Sequence, residues 1–563
     1  MPAPELGGGR ANLVLAGFSA TGKTTAGSIA AQLLDMPFVD LDQTAERRAG
    51  RSIADAFASL GETRFRELEA ELLREAVRLS GSVIATGGGS VLHPEFARLA
   101  EGAVTVVLTA PAAEVQHRLE GDGSRPLLSG HPEVRIRELM DERAPTYAAS
   151  GLALDTATRN VPEVAELIAD RYRAESVASS VPVTVYGPSG PCPALVGPDA
   201  LDRLDHMLAS MLTHAGRVVV ASDEAVRESA GSQVEQRLRG SGRTVLSLMV
   251  GRGEASKQIA AVTALWDRFQ ELGLDRGDLV IAVGGGAVLD AVGFAAATWA
   301  RGVPWITVPT TILAMVDAAI GGKVAIDREG AKNAVGAFHH PRAVVCLPEL
   351  LATLPAASAR DGLAEVVKAA CLASPLLLDV LERSQPLGEG LPPHLTWLIE
   401  QAVRVKAAYV AADPEDQALR QSLNLGHTYA HALEASSDYQ VSHGRAVAVG
   451  LLAASKLGVS LGLTPPELPA RLRTALDRMG LLEPLPPIDA DRVRAAVVSD
   501  KKSRGGTRAF VVPTAEGAML LSGIDLELAL KPLWEVLQGL PEPKVEESRA
   551  QIPYPVVPNE VAR

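Results

Sequence analysis

Gly17-Phe-Ser-Ala-Thr-Gly22-Lys23-Thr24 sets glycines, a lysine and a hydroxyl in the spacing G-x-x-x-x-G-K-T, after one apolar stretch and before a helical pattern. Backbone N–H groups of such a loop wrap nucleotide phosphates, Lys23 reaches the terminal phosphates, and the Thr24 hydroxyl serves Mg²⁺. Asp40 and Asp42 close the next strand-like segment; at a strand end both carboxylates can turn into one pocket, and Asp42 has the chemistry to orient or deprotonate a hydroxyl. Far along the chain, Asn424-Leu-Gly-His427-Thr-Tyr-Ala-His431 places two histidines four apart, on one face of a helix. By spacing alone, both are metal-ligand candidates. Gly284-Gly285-Gly286, with Asp290 four residues on, follows the apolar run Asp278–Val283. It lacks the G-x-G-x-x-G fingerprint, so a pyrophosphate against bare backbone and a plain tight turn account for it equally well.

These groups need scaffolds. Strand-like segments at Asn12–Ala16, Pro37–Asp40, Ser82–Ala85 and Val104–Leu108 alternate with longer amphipathic stretches, which predicts βαβ units and a parallel sheet over residues 10–172. Residues 173–181 are small and polar and read as a linker. A second α/β unit over 182–348 begins with Pro182–Tyr186, Arg217–Ala221, Thr244–Met249 and Asp278–Val283. From 349 to 540 helical periodicity dominates, and 541–563, with several prolines and no periodicity, reads as a disordered tail. A chain of 563 residues with 47% hydrophobic and 21% charged residues fits several globular cores. The net charge of −13 argues against a general nucleic-acid binder, but small anions need only a local positive cluster. Cys192, Cys346 and Cys371 form no disulfide framework or C-x-x-C pair, and the first ten residues have no secretory pattern. Apolar runs are too short for a membrane span, so the expectation is a soluble, cytoplasmic protein of small-molecule substrates.

Residues 10–172 resemble shikimate kinases. The resemblance implies ATP contacts from Gly17, Ser19, Ala20, Thr21, Gly22, Lys23, Thr24 and Thr25, with Mg²⁺ at Thr24 and Asp40. It implies acceptor contacts from Asp42, Arg66, Gly87, Gly88, Gly89 and Arg143, and a lid arginine, Arg125, at the nucleotide. Two arginines suit a carboxylate, because the guanidinium fork matches it bidentately. A gluconate kinase shares the phosphate loop but does not need that pair.

Residues 182–540 resemble 3-dehydroquinate synthases. Implied NAD⁺ contacts are Gly253, Glu254, Lys257, Gly284, Gly285, Gly286, Asp290, Thr310, Thr311, Asp317, Lys323 and Lys332. Implied substrate contacts are Arg301, Lys323, Asn333, Lys368, Lys406, Arg420, Asn424, His431 and Lys501. Among all these, Lys23, Asp42, Arg125, Lys323, Lys368, Lys406 and His431 are the implied catalytic groups. The resemblance also assigns Glu365, His427 and His443 to Zn²⁺ or another divalent ion such as Co²⁺, and moves His431 from ligand to substrate contact. Three protein ligands leave an open position, as a catalytic zinc requires. The chain departs from that pattern at Leu347, Ser358 and Asp416, where acidic residues or a glutamate are usual.

What the two resemblances imply is a bifunctional enzyme of aromatic biosynthesis. One half would phosphorylate shikimate with ATP. The other would turn 3-deoxy-D-arabino-heptulosonate 7-phosphate into 3-dehydroquinate and phosphate, with NAD⁺ regenerated in each turnover. A homodimer through the synthase half is implied as well. The rivals for that half are a sister sugar-phosphate cyclase and a metal-dependent polyol dehydrogenase. The dehydrogenase would leave net NADH and has no need of Lys323, Lys332 and Lys406.

Overall fold

The computed structural model describes residues 9–119, 132–176, 183–188, 190–211, 216–329, 331–388, 390–499 and 509–541. Arg125, Lys501 and the tail beyond 541 lie outside the described residues.

The first unit is a five-stranded parallel sheet. Its strands are β1 (Leu13–Gly17), β2 (Phe38–Asp40), β3 (Val83–Ala85), β4 (Val104–Thr109) and β5 (Leu152–Asp155), in the order β2-β3-β1-β4-β5. β1 is buried along its whole length, as its continuous apolar run requires of a central parallel strand. Helix Val161–Ser176 covers one face, so the first four residues of the expected linker are helical; 177–182 lie outside the described residues.

The second unit holds a seven-stranded sheet, ordered β6-β7-β14-β11-β10-β8-β9. It comprises β6 (Val183–Gly187), β7 (Gly190–Val196), β8 (Val218–Asp223), β9 (Val245–Val250), β10 (Leu279–Gly284) and β11 (Trp305–Pro309). A hairpin of β12 (Lys323–Arg328) and β13 (Ala331–Phe338) then interrupts it before β14 (Val344–Cys346) completes it. All neighbours are parallel except β6 and β7. The four strands expected here form, each starting one residue later, because the leading Pro, Arg, Thr or Asp stays outside the ladder. β7 gives no sequence signal because Gly190, Pro191 and Pro193 break its apolar pattern, and β14 because it is three residues long.

Among the described residues no strand lies between Cys346 and Ala509. Helices Ala356–Ala373, Pro375–Arg383, Leu395–Ala412, His427–Ser436, His443–Ser460 and Leu468–Arg478 fill that span. The part expected to be helical nevertheless contains a hairpin, β15 (Ala509–Thr514) with β16 (Gly517–Ser522). Its inward Phe510 and Val512 pack against the helices, whereas its partner strand is half exposed and carries little periodic signal.

Candidate active sites

In the first unit the phosphate loop leaves β1 and enters helix Lys23–Leu33 through Gly22, whose φ of 93° suits glycine. Lys23 is folded back, its Nζ donating to the carbonyls of Gly17 and Phe18 at 2.8 Å. Thr24 Oγ1 donates to Asp40 Oδ2 at 2.7 Å, the adjacency a shared Mg²⁺ shell requires. Asp40 also caps helix Leu41–Ala49 through the Gln43 N–H, which fixes its carboxylate. A cavity of about 400 Å³ opens over the loop, with Ser19 to Ala26, Asp40 and Asp42 on its wall. Arg118, which sequence reasoning missed, lines it too, held by Ala20 O at 3.3 Å and Thr156 O at 3.0 Å.

The triple glycine stands where the acceptor groups converge. A Cβ on Gly87 would lie 2.2 Å from Glu69 Oε1 and 2.8 Å from Asp42 Oδ1, and one on Gly89 2.1 Å from Arg66 Nη1. Arg143 donates to Gly88 O at 3.1 Å and Tyr147 to the same oxygen at 2.6 Å. Arg66 is paired with Glu69 at 2.5 Å. Burial raises the Glu69 carboxyl against the pull of Arg66. Glu69 was not foreseen; its spacing of three from Arg66 on a helix was the available signal.

In the second unit, Gly285 caps helix Gly286–Thr298 at the carboxyl end of β10, the edge of a parallel sheet where ligands settle. Thr310 N–H closes the crevice onto Gly284 O at 3.0 Å. The glycines serve close packing: a Cβ on Gly284 would meet Val288 at 2.8 Å and one on Gly286 Ala318 at 3.2 Å. The turn Gly253–Lys257 packs on this helix, and Lys257 Nζ reaches Asp290 at 2.6 Å and also contacts Asn333 Oδ1. Burial pushes the Asp290 carboxyl up to about 6, against Lys257. Lys332 lies 4.1 Å from the Tyr439 ring centre.

Glu365, His427 and His443 come together from three helices, their ligand atoms all within 4.8 Å of one another. His427 Nε2 lies 3.5 Å, and His443 Nε2 3.7 Å, from Glu365 Oε1. That oxygen is buried and has no hydrogen-bond partner, so the site fits a divalent cation. The other histidine nitrogens are held: His427 Nδ1 at Leu425 O and His443 Nδ1 at Glu434 Oε1, both 3.2 Å. Outer partners of this kind orient metal-bound imidazoles, and Glu434 had not been singled out. Burial works against the imidazolium of His443, but Glu365 and Glu434 outweigh it and raise the metal-free group to about 10. His431 stacks edge-on against His427 at 5.6 Å but is not one of the three converging groups.

Cations surround the cluster. Lys368 pairs with Glu365, Lys406 with Asp317, and Lys323 with Asp416. Burial opposes the charge of Asp317, yet Lys406 and Lys368 hold its carboxyl below the usual range. Arg420 is buried and donates to Gly321 O at 3.2 Å, beside Lys323; Asn424 ends the same short 3-10 turn. Arg301 is exposed, in the short turn Trp299–Arg301 that follows the C-terminal end of helix Gly286–Thr298.

Comparison with known proteins agrees with this geometry. The shikimate kinase family matches residues 19–173, and the N-terminal and C-terminal 3-dehydroquinate synthase families match 247–361 and 362–503. A 3-dehydroquinate synthase of Mycobacterium leprae is 39% identical over 342 residues, covering 59% of this chain and 91% of the relative. The chain belongs to both families. The synthase half also shares 39% identity over 330 residues with a 2-epi-valiolone synthase of Actinosynnema mirum, covering 57% of this chain and 86% of that protein. A solved 2-epi-5-epi-valiolone synthase from Streptomyces hygroscopicus, with NAD⁺ and Zn²⁺ bound, is 26% identical with a TM-score of 0.55, over 62% of this chain and 97% of its own. The chain is thus an enzyme of mixed α/β fold carrying a kinase and a synthase. No helix among the described residues is long and apolar enough to cross a membrane.

Proposed function

We propose that the N-terminal half transfers the terminal phosphate of ATP to shikimate, and that the C-terminal half converts 3-deoxy-D-arabino-heptulosonate 7-phosphate to 3-dehydroquinate and phosphate. For the kinase, Thr24 and Asp40 would hold Mg²⁺, Lys23 would swing from the loop carbonyls onto the phosphates, and Asp42 would orient the attacking hydroxyl. Arg66 and Arg143, on either side of Gly87–Gly89, would take the carboxylate.

For the synthase, Glu365, His427 and His443 would hold Zn²⁺ or Co²⁺, which supplies Lewis acidity to a substrate hydroxyl. NAD⁺ would lie over Gly284–Gly286 and accept, then return, a hydride. Lys323, Lys368, Lys406 and Arg420 would bind phosphate and carboxylate, each exchanging its present carboxylate or carbonyl partner for substrate. One observation supports this best: three ligand atoms in one cluster, one of them an orphaned buried carboxylate oxygen, ringed by cations suited to a doubly anionic substrate. Phosphate release from the heptulosonate phosphate with NAD⁺ and Zn²⁺ tests it, and net NADH accumulation would point to a polyol dehydrogenase instead. The Actinosynnema relative favours a second reading, a sister cyclase. Turnover of the corresponding sugar phosphate lacking the carboxylate, in preference to the acid, would select that reading.

We further propose units at 10–172 and 182–540, a cytoplasmic location and a homodimer through the synthase half, the last readable by light scattering.

A further inference from the structure

The two halves meet on one helix face. Trp397, Glu400, Gln401 and Arg404 recur at the spacing of one side of helix Leu395–Ala412. All four are at least nine-tenths buried. Opposite them is the turn Arg78–Gly81 of the kinase half. Ser80 O accepts from Trp397 Nε1 at 2.7 Å and Gln401 Nε2 at 2.9 Å, and Arg78 O accepts from Arg404 Nη1 at 2.6 Å. Glu400 Oε1 accepts from Arg10 N–H at 2.8 Å and Ser80 Oγ at 3.1 Å. Gly81, at a φ of 68°, lets the turn approach: a Cβ there would stand 3.3 Å from Trp397 Cδ1. Carbonyls just past a helix end lack partners of their own, and here the other half supplies the donors. Beside this contact, helices Leu41–Ala49 and Pro375–Arg383 flank a cavity of about 1140 Å³, and His394, before the start of helix Leu395–Ala412, places Nδ1 2.9 Å from Asp35 Oδ1.

The turn's position in the chain gives the contact a use. It joins helix Ile53–Val77, which carries Arg66 and Glu69, to β3, which runs into Gly87–Gly89. We infer that the Trp397–Arg404 face is a docking surface for the kinase half, and that by holding Arg78–Gly81 it positions Arg66 against the triple glycine. The docking stands by itself; the positioning rests on the proposed acceptor site.

The test uses the full chain with a glycine-flanked site for a specific protease inserted within residues 177–182. After cleavage, the two pieces of the otherwise unaltered chain are expected to co-elute in gel filtration at micromolar concentration. Arg404→Ala with Gln401→Ala should weaken their association by about tenfold or more. Separation of the unaltered pieces would overturn the docking. In the uncut chain, the same double variant should raise the shikimate KM severalfold and leave the ATP KM unchanged. An unchanged shikimate KM would overturn the positioning role while leaving the docking result intact. Gel filtration needs no substrate, so a wrong acceptor would not obscure it.

Discussion

The two oxygens of Glu365 face different neighbours. Oε2 meets Lys368, whereas Oε1 has no hydrogen bond and lies between two imidazole nitrogens at 3.5 and 3.7 Å. A cation would complete Oε1, and its arrival should release the proton that Glu365 and Glu434 hold on His443. His427→Ala and His443→Ala are therefore expected to lose metal and synthase activity, while His431→Ala keeps metal and turns over slowly. Metal content of the purified variants decides: a metal-free His431→Ala beside a metal-replete His427→Ala would reverse the two roles. In the kinase half, Arg66→Ala or Arg143→Ala removes one arm of a carboxylate clamp. Loss of a charge-assisted pair costs about 1.5–3 kcal/mol, so the shikimate KM should rise far more than the ATP KM. Equal effects in steady-state kinetics would signal a different acceptor or a damaged fold.

At the scale of elements, glycines bring the ligands into reach. Gly426, at a φ of 79°, starts the His427 helix directly against helix His443–Ser460, where a Cβ on Gly450 would lie 2.1 Å from Gly426 O. A Cβ on Gly444 would lie 2.2 Å from Asp361 O, on the helix carrying Glu365. Three helices thus approach backbone to backbone, and each delivers one ligand near that crossing. Gly450→Ala should force two of them apart, costing about 1–3 kcal/mol as an overpacked contact. Metal affinity should fall though no ligand is altered; calorimetric titration with Zn²⁺ checks this, and unchanged affinity would show that the crossing has slack.

For the whole molecule, two sites on two sheets should fail independently when only their chemistry is removed. Lys23→Ala should abolish phosphoryl transfer, because the phosphates lose a principal cation, and leave synthase turnover near its original value. Conversely, treatment with a zinc-selective chelator should stop the synthase, and kinase assays run afterwards in excess Mg²⁺ should proceed. Collapse of both activities in a chain that circular dichroism shows to be folded would contradict this independence. Independence of chemistry is compatible with mechanical docking, since neither treatment touches the Trp397–Arg404 face.

Local pattern alone determined the phosphate loop, because its strand, glycines, lysine and threonine are contiguous and their spacing carries the mechanism. It also determined two α/β units followed by a helical part, because hydrophobic periods of two and of three to four persist over whole elements. Family resemblance supplied the ligand trio. What no spacing could reveal was the pairing of residues distant in the chain: Glu365 with His427 and His443, Glu434 behind His443, and Lys406 on Asp317. The sequence reading left both His427 and His431 eligible because they share a helix face. The fold separates them, because only His427, at the helix start beside Gly426, is brought against Glu365 by the crossing of the three helices. The contact of Ser80 with Trp397 and Gln401 was likewise invisible, since a backbone carbonyl has no residue type to read. Such pairings follow from which surfaces pack, and packing is decided only by the assembled tertiary structure.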